Sequence, residues 1–191
     1  MVKRFSLSVM VVALAVVCAM CNKSDSQQGE ASAEAAATEQ VEKAVLSVKD
    51  LPERPEMMAN DYAGVLGDSI RGLEDDLRRY AAEVPVQIAV VTLSDIGAND
   101  ALKVASEIGN KWGVGDKEKD NGVVILIQPK TEKAEGKVAI APGAGLKQVL
   151  SDEACNRIIE DIMVPQLKAG DYYGAVSAAV LDIVSTLSAS K

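Results

Sequence analysis

Leu66, Ile70, Leu73, Leu77 and Tyr80 fall three or four residues apart, so they lie along one stripe of an α-helix. Asp68 or Ser69 stands where a cap is expected. The pattern changes at 87–93, where QIAVVTL is apolar at successive positions and rich in β-branched residues. That predicts a central strand covered on both faces. Asn99 is placed to cap a second helix with the stripe Ala101, Ala105, Ile108 and Trp112, which Gly113 ends. Residues 123–127 form a continuous apolar strand, and 137–141 a further strand. Ser151 opens a third helix through Ala154, Ile158 and Ile162, and Pro165 stops or kinks it. A last helix spans 171–188 through Val176, Val180, Ile183, Val184 and Leu187.

The order strand, helix, strand makes the first two strands parallel through a right-handed crossover. No helical segment separates 127 from 137, so the third strand returns antiparallel as a hairpin. The expected fold is α/β: a three-layer α/β/α sandwich with a small mixed sheet and helices on both faces. Direction has a consequence for chemistry. The loop at 113–121, the loop at 142–150 and the helix start at Ser151 and Asp152 belong at one edge of the sheet.

Ahead of this unit the patterning is different. Lys3 and Arg4 precede an apolar run from Phe5 to Met20, too short to span a bilayer and suited to a signal peptide. The run ending at Cys21 reads as a loose lipoprotein signal, with Met20 in place of the usual small residue; simple secretion would cut after Ala19 instead. The expected division is a signal peptide at 1–20 with lipidation on Cys21, a flexible tether at 21–56, and a domain at 57–188. Pro52 and Pro55 impose an extended entry to the domain. The domain is thereby expected outside the cytoplasm, in the periplasm or at the cell surface.

Charge and composition remove several chemistries. The chain carries a formal charge of −8, so it lacks the footprint of a nucleic-acid binder. Without residues 1–20 it has 28 acidic against 18 basic residues, a charge of −10. It contains no histidine, which excludes His phosphotransfer, Ser-His-Asp and Cys-His nucleophiles, and His-based zinc sites. A metal would need oxygen ligands, which favours calcium or magnesium. Cys155 reads as a small core residue; six positions on stands Asp161, not the arginine of a cysteine phosphatase loop.

One loop concentrates candidate ligands. In WGVGDKEKDNGVVILI, Asp116, Glu118 and Asp120 alternate just before a buried strand, beside Gly113, Gly115 and Gly122. It is not an EF-hand, because Gly122 comes a position late and Ile127 replaces the bidentate glutamate. From the residues alone a solvated loop is the better reading, with a cation site as the alternative. Glu74, Asp75 and Asp76 read as a solvated helix face balanced by Arg78 and Arg79. Gly143 and Gly145 suggest a tight turn more than a phosphate cradle.

The residues resemble the TPM domain family. NDYAGVL at 60–66, QIAVVTL at 87–93, WGVGDKEKDNGVVILI at 112–127, VAIAPGAGLKQVLSD at 138–152 and AGDYYGAV at 169–176 occur in the family's order. The resemblance implies an α/β/α sandwich outside the cytoplasm, often tethered to a membrane. Calcium binding and acid phosphatase activity are attributed to members, and others act through protein partners. Its cleft acids correspond to Asp61 and Asp120, with Asp152 a further recurrent acid; Gly143 and Gly145 lie in the same cleft. Lys147 stands where a glutamate is frequent, and only Lys133 and Lys137 stand near a usual arginine. The resemblance thus implies Ca²⁺ on Asp61 and Asp120, with Asp116 or Glu118 contributing. The expected role is an interaction or assembly accessory for an envelope or membrane protein complex; the alternative is a metal-assisted phosphomonoesterase.

Overall fold

Strands that are apolar on both faces need helices on both sides, and the computed structural model, which describes residues 54–190, has that arrangement. The signal sequence, Cys21 and the tether up to residue 53 lie outside the described residues. Four strands form one sheet in the order β1 (Ala59–Asp61), β2 (Gln87–Thr92), β3 (Gly122–Gln128) and β4 (Lys137–Pro142). β1 and β3 both run parallel to β2, and β4 is antiparallel to β3. Ile88 and Val90 of β2, Ile125 and Ile127 of β3 and Ile140 of β4 pack under α1 (Ile70–Glu83) and α5 (Tyr172–Ala189). Ala89, Val91, Val124, Leu126, Ala139 and Ala141 pack under α2 (Ala101–Trp112) on the other face. Alanines on that side of β4 let α2 approach closely.

Three local expectations change. The second helix is capped by Asp100, whose carboxylate accepts the Lys103 N–H at 2.8 Å, while Asn99 donates its amide to the Ile96 carbonyl. Neither Asp68 nor Ser69 caps α1, which is entered through a short 3₁₀ turn at Gly67–Ser69. Pro165 does not end the third helix. α3 (Asp152–Arg157) passes through a π-turn at Ile158–Met163 into α4 (Val164–Lys168), which carries Pro165 in its first turn. The Val164 N–H reaches back five residues to the Ile159 carbonyl, and this wider turn absorbs a residue with no N–H of its own.

The strand that patterning missed is β1. Its three residues, Ala-Asn-Asp, have no apolar alternation. A buried carboxylate holds them: Glu74 of α1, 7% exposed, accepts the N–H groups of Met58 and Ala59 at 2.7 and 2.8 Å. Its other oxygen meets the Arg78 guanidinium at 2.7 Å, an ion contact without hydrogen-bond geometry. Glu74 is therefore not part of a solvated face. By composition α5 is long and apolar enough to cross a membrane, but here Val176, Val180, Ile183 and Leu187 bury one side of it in the core.

Candidate functional site

The acidic loop at 113–121 folds back on itself before β3 begins. Asp116 Oδ1 accepts the N–H groups of Glu118 and Lys119 at 2.9 and 3.1 Å, and the Asp116 carbonyl accepts the Asp120 N–H at 2.7 Å. Asn121 accepts the Asp116 N–H and donates to the Pro85 carbonyl, while Gln87 accepts the Gly115 N–H. The hydrogen bonds from Lys119 and Glu118 hold the Asp116 carboxyl below its ordinary value. Glu118 is exposed. These are the bonds of a closed turn, made by side chains that mimic backbone acceptors.

Asp120 joins this loop to the next. It adopts a left-handed backbone conformation, with φ of 45°, and its Oδ2 accepts the Ala144 N–H at 2.9 Å. Its carbonyl accepts the Gly145 N–H at 3.1 Å, and the Gly143 N–H reaches the Gly122 carbonyl at 2.8 Å. Side chains would not fit here: a Cβ at Gly143 would lie 2.2 Å from the Asp120 carbonyl oxygen, and one at Gly145 only 1.9 Å from that of Lys119. The two loops expected at one sheet edge thus meet, and Gly143 and Gly145 make the meeting possible. Asp152 is the exposed first residue of α3 and bonds to neither loop.

Asp61 is elsewhere. Register sets Asp61 beside Thr92 and Gly122 beside Gln87, so Asp61 and Asp120 stand at opposite ends of β2. Five strand steps of about 3.3 Å put roughly 17 Å between those ends. At its own end Asp61 accepts the Val65 and Leu66 N–H groups at 3.1 and 2.8 Å and the Thr92 hydroxyl. Thr92, fully buried, also accepts the Ala63 N–H. Burial pushes the Asp61 carboxyl up, but the hydrogen bonds from Thr92, Leu66, Val65 and Gly67 outweigh it and leave the group below its ordinary 3.8. A lowered folded-state value means that its contribution is complete above about pH 4 and is lost as the pH falls through that value. Asp61→Asn is expected to cost about 1–2 kcal/mol at pH 7 in urea unfolding. The difference from wild type should shrink as both are taken to acid.

This geometry decides how the expected calcium fits. No ion reaches both Asp61 and Asp120, and among the described residues no three acidic or thiol side chains gather closely enough to hold one. The oxygens left open at the 113–121 end are Asp116 Oδ2, Asp120 Oδ1 and the Glu118 carboxylate. The joint Asp61–Asp120 set therefore does not fit a calcium cage. Other chemistry is equally committed: Arg157 pairs with Asp182 at 3.1 Å, and Lys137 donates to the Gly97 and Asn99 carbonyls. The Cys155 thiol is buried and pushed up to about 11, first by burial and then by nearby Asp152, which suits an inert core residue.

The chain belongs to the TPM domain family: the family's model matches residues 59–186, most of the described fold. Solved structures agree. The N-terminal domain of a protein from P. gingivalis is 28% identical, with a TM-score of 0.63 over 77% of this chain and 94% of its own. The N-terminal domain of cg2496 from Corynebacterium glutamicum is 20% identical (TM-score 0.54, 78% of this chain and 90% of its own). BA42 from Bizionia argentinensis is 18% identical (TM-score 0.52, 62% and 78%) and, like cg2496, supports the fold alone. No curated protein matches the chain.

Patterning missed the partners that organise both ends: Thr92 and Glu74 near Asp61, Gln87 and Asn121 near Asp120. One signal was present. Thr92 is the lone hydroxyl residue in a strand that is apolar from Ile88 to Val91, and a buried hydroxyl needs a partner.

Proposed function

We propose that this chain is a membrane-tethered, extracytoplasmic TPM-domain module that works by binding, as an assembly accessory to a protein complex of the cell envelope. The observation that carries the reading is how the acidic residues are used. Asp61, Asp116 and Asp120 each bind backbone N–H groups, and the family's two cleft acids stand at opposite sheet ends. That use suits a scaffold presenting surfaces better than a hydrolytic pair of carboxylates acting across one substrate. The apolar run before Cys21 supports the tether.

The test has two arms. Cys21→Ser is expected to move the protein from the membrane to the soluble fraction; unchanged fractionation would remove the lipid tether. Phosphomonoester turnover with added calcium or magnesium is expected at background level. Metal-dependent turnover abolished by Asp120→Asn would replace the binding module with the phosphatase. Calcium belongs to this proposal only as a weak ligand of the 113–121 end. Calorimetry is expected to give a Kd of about 1 mM or weaker, unchanged by Asp61→Asn. Tight binding that needs both Asp61 and Asp120 would contradict this.

A further inference from the structure

The stretch at 169–176 takes no part in either end-of-sheet network, although it belongs to the pattern that the chain shares with its family. It lines a cleft of about 650 Å³ together with the β3–β4 hairpin. That volume lies within the ~300–1,000 Å³ typical of small-ligand sites. Ile127 is buried at the base of the cleft, while Val138, Val164, Leu167 and Tyr172 are only half-buried along it. Apolar side chains from β4, α4 and α5 thus converge on space that no described residue fills.

The charges around this space run against those of the chain. Lys130 and Lys168 stand at its rim with Glu135 as the one acid, a local excess of one positive charge in a chain of −8. Lys137 borders the cleft through its backbone, but its ammonium turns to the Gly97 and Asn99 carbonyls at 2.7 and 3.1 Å on the α2 side of the sheet and adds no charge to this space. Lys130 and Glu135 approach only to 3.7 Å and are mostly exposed, a loose pair that exchanges readily. The hairpin side is preformed. Gln128, 2% exposed, accepts the Ile96 N–H at 2.7 Å and donates to the Glu135 carbonyl at 2.6 Å.

We propose that this cleft binds a small amphiphile with one carboxylate on an apolar body. The body lies on Val138, Val164, Leu167 and Tyr172, and the carboxylate meets Lys130 and Lys168 at the rim. A cationic amphiphile is repelled by the lysine excess, and a neutral one leaves that excess unused.

Octanoate is the probe, followed by backbone amide shifts of the full chain, with octanol and octyltrimethylammonium as comparators. Octanoate is expected to cause saturable shifts at Gly136, Val138, Leu167, Gly170 and Tyr172, and octyltrimethylammonium none there. Lys130→Glu with Lys168→Glu, both at exposed positions, is expected to weaken octanoate about fivefold or more with the melting temperature unchanged. The proposal is overturned if those amides show no saturable shift. It is equally overturned if octanol or the cation binds there as tightly as octanoate, or if the stably folded double variant binds octanoate like wild type.

Discussion

Gly145→Ala is expected to lower stability by about 2–3 kcal/mol, the cost of forcing an added methyl into a filled space. Its Cβ would lie 1.9 Å from the Lys119 carbonyl oxygen and 3.1 Å from that of Asp120, so two backbone segments would have to separate. The bond between the Gly145 N–H and the Asp120 carbonyl would then be lost, along with the lock between the acidic loop and the stretch after β4. Gly170→Ala is the control. Gly170 has a positive φ of 81° but nothing within 4 Å of an added Cβ, so only the backbone preference is charged, about 1–2 kcal/mol. Urea midpoints at constant slope compare the two. Equal costs would mean that the loops tolerate separation and that the close approach is not a constraint on the site.

Glu74→Ala is expected to cost about 3 kcal/mol, because it leaves the Met58 and Ala59 N–H groups without their acceptor beneath α1. Glu74→Gln keeps one acceptor oxygen and should lose about half as much. Arg78→Ala should cost well under 1 kcal/mol, since the Arg78 side chain is 57% exposed and its ion pair is screened. Amide exchange locates the damage: protection should fall first at β1 and at Val90, whose N–H bonds to the Met58 carbonyl. Loss spread evenly through β3 would show that Glu74 does not specifically secure the edge strand. Because β1 carries Asp61, detaching it would also disturb the turn that Asp61 and Thr92 close.

The two ends of the sheet use one device with different parts. At each end a carboxylate substitutes for a missing backbone partner: Asp61 for the turn into α1, Asp116 for the turn into β3, with Asp120 tying that turn to Ala144 after β4. This is why acids that lead the chain's family pattern can be structural groups, and why their substitution should be read by stability as well as by binding. The amphiphile cleft lies apart from both networks. None of these three carboxylates lines it, so its occupancy can be changed without touching them.

Amino-acid order alone determined the layered α/β architecture, because period and length are local properties. The 3.6-residue stripe of Leu73 and Leu77 and the doubly apolar runs at 87–93 and 123–127 each have one good burial solution. It also determined that the loops at 113–121 and 142–150 share an edge, since strand direction follows from the connections. Only the tertiary structure decided that Ala59–Asp61 is a strand, for its cause is Glu74, 15 residues away. Only the register separated Asp61 from Asp120, and a motif read along the chain carries no register. The acidic loop divides in the same way. The residue types offered cation ligands or a turn; the fold shows Asp116 closing a turn on the Glu118 and Lys119 N–H groups and Asp120 tying that turn to Ala144.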